Sequence, residues 1–283
     1  MAFRLHEWLS TAWGFTIPIP AYFPVLALGF IVGACVIVHE AQRAGIEAPT
    51  ALDMFLYVGI GIIIGARLFI VLPHFDYYLA HPREMFHISE AGLASHGGFL
   101  VGFALVLAYV AYRGLPFLTV ADTLPAGVGL ILFFARIGGF LEGSCYGAVT
   151  QLPWGVRFPV GSIAYAELLQ QRLVASGEQL TPPLHPTQLY AAAAGLCLFA
   201  LAWWLSRHKR FSGEVFFGRL LFYAGTRLGI DMLRGDFGGE ALFFGLLPTT
   251  QLITAVLGII AVLGMVLQTW RFKRTAPAGQ LVT

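Results

Sequence analysis

The stretch Gln251–Trp270, QLITAVLGIIAVLGMVLQTW, runs for twenty residues without one charged side chain. At about 1.5 Å per residue, a helix of that length reaches about 30 Å, the thickness of a bilayer's hydrocarbon core. Working outward, six more stretches share this character: residues 23–40, 52–72, 97–112, 119–139, 187–206 and 215–233. The fourth of these is interrupted by Asp122, Pro125 and several glycines. The sixth carries Arg219, Arg227 and Asp231, so it cannot face lipid all round. The whole chain is 58% hydrophobic and only 11% charged, against about 25% charged residues in a soluble protein. The expected fold is therefore an all-α membrane protein of about seven transmembrane helices.

The basic residues between these stretches set an expected orientation. Arg43, Arg113, Arg207, Lys209, Arg210, Arg271, Lys273 and Arg274 fall on one side, and Arg4, Arg83, Arg157, Arg172 and Arg234 on the other. The richer side is expected to be cytoplasmic, which places the N-terminus outside and the C-terminus inside. Trp203, Trp204 and Trp270 then mark inner ends of spans, where indole rings anchor at the interface. Residues 1–22 do not read as a cleavable signal. Phe3, Leu5, Trp8 and Leu9 among Arg4 and Glu7 read as an interfacial amphipathic arm. Residues 143–185 form a long outer-face loop region with a short helix expected near Ile163–Ala175, and loops of that length are usually functional. One membrane domain over 1–283 accounts for the rest. The net charge of +2, without a basic run, argues against a nucleic-acid partner. The spacing of Cys35, Cys145 and Cys197 fits neither a metal site nor a disulfide framework, and no motif calls for a cofactor.

Four arginines remain inside the apolar stretches: Arg67, Arg136, Arg219 and Arg227. A charge at mid-bilayer costs at least about 2.5–3.5 kcal/mol, so such residues are paired or line a polar cavity. Few acidic residues lie at matching depth, which favours an anionic ligand. Arg219, nearest the inner end, is read as snorkelling. Asp231 follows Arg227 by one helical turn and is expected to pair with it on one face. Planar guanidinium groups suit bidentate capture of phosphate oxygens. His96 precedes Gly97 and Gly98, which let a ligand approach the backbone, and a histidine there can move a proton near neutral pH. His185 opens His185-Pro186-Thr187-Gln188-Leu189-Tyr190 and is read as structural. The densest segment, ARIGGFLEGSCYG over Ala135–Gly147, combines Arg136, Glu142, Ser144, Cys145 and Tyr146 with four glycines. Nothing but nearby Arg136 would activate the Cys145 thiol, so a nucleophilic role is not assigned to it.

In this order the landmarks resemble the prolipoprotein diacylglyceryl transferase family. They are Tyr22, Gly65-Ala66-Arg67, His96-Gly97-Gly98, Arg136-Ile137-Gly138 through Tyr146-Gly147, and Leu152-Pro153-Trp154-Gly155 with Phe158-Pro159. His185–Tyr190, Arg227 to Asp231 with Arg234, and Gln251 complete the set. The resemblance implies a seven-span bundle in the bacterial inner membrane, with its N-terminus periplasmic and its C-terminus cytoplasmic. It implies transfer of the diacylglyceryl group of phosphatidylglycerol to the lipobox cysteine of a prolipoprotein signal peptide, releasing glycerol phosphate. Carried onto this sequence, Arg136 and Arg227 hold the phosphate, and His96 and Tyr22 stand around the reacting centre. Glu142 and Asp231 are the candidate catalytic carboxylates, Asp231 standing where the family has glutamate. Arg67, Gly97, Gly98, Gly139, Ser144, Gly147 and Arg234 join the two arginines as candidate substrate contacts.

The chain departs from the family signature at four places. Gly139 and Glu142 replace asparagines, Ser144 replaces a glutamate and Ala148 replaces an arginine. The asparagine at 139 and the glutamate at 144 belong to the family's active site, and Glu142 lies two residues from the lost carboxylate. A second reading therefore stands beside transfer: a phospholipid-binding membrane paralogue with the same cavity and another use. A transporter is disfavoured, because the sequence has no inverted repeat with paired broken helices.

Overall fold

The computed structural model describes residues 22–82, 95–175, 177–234, 242–243 and 247–275. Helix α1 spans Tyr22–Arg43, α2 Ala48–Val71, the short α3 Phe75–Ala80, α4 Ser95–Tyr112 and α5 Phe117–Glu142. They are followed by α6 Ile163–Gln170, α7 Thr187–His208 and α8 Glu214–Asp231. Strands β1 (Leu242–Phe243) and β2 (Leu247–Pro248) pair antiparallel just before α9, Thr249–Thr275. The arm expected over 1–22 lies outside the described residues except for Tyr22, which begins α1.

Each of the seven apolar stretches forms a helix. Among the described residues, five are long and apolar enough to cross a membrane: Tyr22–Arg43, Ala48–Gly65, Phe117–Glu142, Thr187–His208 and Gln251–Arg274. Leu100–Tyr112 is apolar but shorter. Helix α8 has 18 residues, and Glu214, Arg219, Arg227 and Asp231 keep it below that apolarity. Of the about seven membrane helices expected, five among the described residues meet the requirement of length and composition. Helix α9 leaves Ile259, Leu263, Val266 and Leu267 each more than half exposed, a surface suited to lipid and not to water. Helix α5 runs unbroken through Asp122 and Pro125; a proline inside a membrane helix is tolerated where neighbouring groups satisfy the freed backbone.

The described residues fall into two compact units, one within Val38–Thr123 and the other within Met1–Ile37 and Leu124–Thr283. In the first, Ala41, Met54, Val106, Val110 and Val120 form the core. Here α2 meets α4 at glycines: a Cβ on Gly61 would fall on the Gly102 backbone. Gly65 and Gly98, each four residues from one of this pair, are buried as well, the small-residue pattern that lets membrane helices approach backbone to backbone. The polar groups of this unit pair internally. Tyr109 Oη donates to Asp53 Oδ2 at 2.6 Å, and Arg113 Nη2 donates to Thr50 Oγ1 at 3.0 Å.

The second unit uses the same device twice. Gly33 of α1 lies against Ile131 and the Gly127 carbonyl of α5, and Gly129 of α5 lies against Gly195 and Phe199 of α7. These approaches make α5 the element around which α1 and α7 close. Between α5 and α7 the chain builds a head with its own core of Tyr146, Phe158, Ala164, Leu168 and Leu184. Its middle segment, 180–185, bridges both Val149 and Val156 through Leu184, and Pro159 through Leu180. Ser162 caps α6 by accepting from Tyr165 N at 3.2 Å. The helix ends earlier than the sequence suggested: Arg172 turns left-handed (φ 60) and Leu173 N–H closes onto the Leu168 carbonyl at 2.9 Å, a helix-ending turn.

Overpacking this glycine contact provides a test. Gly61→Leu should destabilise the protein by about 1–3 kcal/mol or more, seen as a lower unfolding temperature in detergent. Gly59→Leu is the control, because a Cβ there meets nothing within 4 Å, and it should melt with the wild type.

Candidate functional site

Helix α8 presents Tyr223, Thr226, Arg227 and Ile230, spaced i, i+3, i+4 and i+7, to one side, the side-by-side spacing of a single helix face. That face closes a cavity whose other walls are Leu132 and Arg136 of α5, Cys145, and α7 from Thr187 to Leu198. Arg234, just past α8, also lines it. Helix direction divides the cavity chemically. Arg136 near the end of α5, Thr187 at the start of α7, and Arg227 and Arg234 at the end of α8 lie together. Leu132, Ala194, Gly195 and Leu198 lie deeper along the same helices and line an apolar wall.

Three guanidinium groups therefore face one space, and one carboxylate organises two of them. Asp231, its side chain fully buried, meets Arg227 Nε through Oδ2 at 3.0 Å and Arg234 Nη1 through Oδ1 at 3.8 Å. The spacing of four residues read from sequence makes the first pair; the second was not foreseen. Counting Arg136, Arg227, Arg234 and Asp231, three positive charges meet one negative, a balance of +2 toward the cavity.

The loop after α5 is held by its neighbours and not by a regular element of its own. Cys145 adopts φ 54, a left-handed conformation that costs an ordinary residue roughly 1–2 kcal/mol. Gly147 N donates to His185 O at 3.0 Å, His185 N to Ala148 O at 3.0 Å, and Ala148 N to Leu233 O at 2.9 Å. A Cβ on Gly147 would stand 2.5 Å from His185 Cβ and 2.8 Å from the Leu233 carbonyl, so the close approach of three segments requires glycine. His185 Nδ1 lies 3.5 Å from Tyr190 Oη, which accepts from Trp154 Nε1 at 2.7 Å, a packing arrangement that fits its reading as structural.

The other expected site residues distribute as follows. Tyr22 packs on Gly138, with ring and backbone atoms where a Cβ would be, and lies within electrostatic range of Arg136, Cys145 and Glu142. Neither Tyr22 nor Glu142, the last residue of α5, lines the cavity. Ser144 Oγ turns back to the Gly139 carbonyl at 3.4 Å, and a Cβ on Gly139 would lie 3.1 Å from that hydroxyl. Two of the four departures from the family signature, Gly139 and Ser144, thus face each other. Arg67, His96, Gly97 and Gly98 belong to the other unit. There the Arg67 guanidinium sits 5.4 Å from the centre of the Tyr78 ring, and Gly98 is buried in α4. His96 and Gly97 start α4, and the His96 side chain lies outside the described residues. The Nε of Arg219, read from sequence as snorkelling, is buried and has no hydrogen-bond partner among the described residues.

Thr187, Tyr223 and Thr226 line the cavity without having been singled out. Tyr223 and Thr226 stand four residues and one residue before Arg227, so helical periodicity alone could have marked Tyr223. Removing the central carboxylate gives a second test. Asp231→Ala leaves the Arg227 and Arg234 guanidinium groups without their shared counter-charge and should lower stability by about 3 kcal/mol or more, measured by unfolding in detergent.

Known proteins resemble this chain over most of its length. The family model described as prolipoprotein diacylglyceryl transferase matches residues 11–267. The phosphatidylglycerol–prolipoprotein diacylglyceryl transferase of Shewanella oneidensis is 31% identical over 232 residues, 80% of each chain. That of Geobacter sulfurreducens is 33% identical over 236 residues, 80% of this chain and 82% of its own. The Cupriavidus pinatubonensis protein of the same name is 33% identical over 246 residues, 86% of this chain and 81% of its own. With apolar helices of membrane-spanning length, this is a multi-pass membrane protein, and the chain belongs to the prolipoprotein diacylglyceryl transferase family.

Proposed function

We propose that the protein transfers the diacylglyceryl group of phosphatidylglycerol to the lipobox cysteine thiol of a prolipoprotein, releasing glycerol phosphate. The observation that carries this reading is the meeting of Arg136, Arg227 and Arg234 at one end of a cavity whose other end is apolar. A phospholipid has the same division, with a phosphate at one end and hydrocarbon at the other.

In the proposed reaction the substrate sulfur attacks the glyceryl carbon bonded to the phosphate oxygen. The carbon–oxygen bond breaks, a thioether forms and glycerol phosphate departs. A phosphodiester with one negative charge becomes a monoester with nearly two, so guanidinium groups fixed beforehand stabilise the transition state more than the bound lipid. Arg136 and Arg227 take the phosphate oxygens. Arg234 supports them, and Asp231 aims Arg227 and Arg234 without cancelling their charge. His96 is assigned to the thiol proton and Tyr22 to the edge of the reacting centre, with Glu142 within electrostatic range of Tyr22. Gly97, Gly98, Gly139, Ser144, Gly147 and Arg67 are added as headgroup contacts by the family resemblance alone. The active site faces the periplasm, with the N-terminus outside and the C-terminus inside.

A second reading has its own observation. The facing pair Gly139 and Ser144 puts two small side chains where the family sequence has an amide and a carboxylate. That fits a paralogue that binds a phospholipid without transferring it. One assay separates the two: purified protein with labelled phosphatidylglycerol and a cysteine-bearing lipobox peptide should release glycerol phosphate. Arg136→Ala and Arg227→Ala should each lower the rate about 100-fold or more, as loss of one preorganised donor does. No release from folded wild-type protein that retains lipid would establish the paralogue instead.

A further inference from the structure

We propose that Thr187 and Gln188 are positioning residues that set the pose of the loop beside the arginine cavity. Their side chains grip its backbone at consecutive carbonyls. Thr187 Oγ1 donates to the Cys145 carbonyl at 2.8 Å, and Gln188 Nε2 donates to the Ser144 carbonyl at 2.8 Å. Both side chains are buried, at 2% and 1% exposure, so neither bond is exchanged for water without opening the packing. Both come from the first turn of α7, a rigid base for the hold.

The loop requires such a hold. Its backbone donors are used at Gly143 N to the Phe140 carbonyl at 3.2 Å and Ser144 N to the Gly139 carbonyl at 2.9 Å, and again at Gly147 N to His185 O at 3.0 Å. Between the last two the carbonyls of residues 144 and 145 are fixed by the two side chains of α7. Cys145, in that gap, is the residue with the left-handed backbone, a conformation that relaxes unless its surroundings over-determine it. Because Cys145 and Arg136 line the same cavity, the pose of this peptide sets one wall of the phosphate end. The pair therefore acts through the loop, and Gln188 does so without lining the cavity. The sequence motif that contains them, His185-Pro186-Thr187-Gln188, works as a clasp: His185 ties the backbone of residues 147 and 148, and the next two side chains tie 144 and 145.

The Cys145 thiol reports directly on this pose. In full-length protein carrying Cys35→Ala and Cys197→Ala, both at exposed positions, Cys145 is the one remaining thiol. Its alkylation by iodoacetamide is measured in detergent without lipid. Thr187→Ser keeps the donor and should alkylate within twofold of the parent. Thr187→Val keeps the shape without the donor and should alkylate at least fivefold faster, with unchanged helix content. Gln188→Glu is the second probe, since it keeps the length while removing the amide donor, and it should also rise at least fivefold. Parental rates in folded Thr187→Val and Gln188→Glu would overturn the proposal. The consequence for catalysis rests on the proposed transfer. In the glycerol phosphate assay both variants should lose at least tenfold in kcat. Because alkylation needs neither lipid nor acceptor, absence of transfer in the parent would sink the functional reading and leave the clasp standing.

Discussion

The structure turns on the pairing of one buried carboxylate with two guanidinium groups. Asp231, its side chain without solvent exposure, lies between Arg227 and Arg234. In hydrocarbon a lone charge is expelled or neutralised, whereas a charge shared with a counter-ion in good geometry is retained. The excess of arginine over carboxylate leaves the cavity positive. That excess separates a site for an anion from an ion pair that merely satisfies itself.

Keeping those charges in place requires the surrounding helices to close tightly, and the chain does this with glycine. Gly33, Gly127, Gly129 and Gly195 bring α1 and α7 against α5, which carries Arg136. In a membrane no hydrophobic effect draws helices together, so close van der Waals approach must supply the association. Glycine works in the loop as well, but for another reason. Gly147 admits His185 and the Leu233 carbonyl to the same spot, and that crowding ties the end of α8 to the end of α5. The two arginines after Gly225 and the one on α5 are thereby kept on one cavity.

Two of the departures from the family signature, Gly139 and Ser144, look independent along the chain, five residues apart. In space they are one feature, because Ser144 Oγ lies over Gly139. Restoring an asparagine at 139 alone would push a side chain into that hydroxyl. The contact between Gly139 and Ser144 lies apart from the cavity lined by Arg136, Arg227 and Arg234.

Much of this protein was legible along the chain. Length and apolar character in Gln251–Trp270 and its six counterparts set the helices, because a bilayer tests composition one segment at a time. The i to i+4 spacing of Arg227 and Asp231 foretold their pair, since a helix makes such residues neighbours wherever it sits. The landmarks from Tyr22 to Gln251 marked the family. Other features depended on segments far apart in sequence. Arg234 joins Asp231 only because the chain turns back after α8. Thr187 and Gln188 reach the loop of Ser144 and Cys145 across more than forty residues. Gly139 and Ser144 meet only because the end of α5 folds over itself. Local periodicity determines which side chains share a helix face, whereas packing between helices decides which faces share a cavity, and that meeting only the tertiary structure could decide.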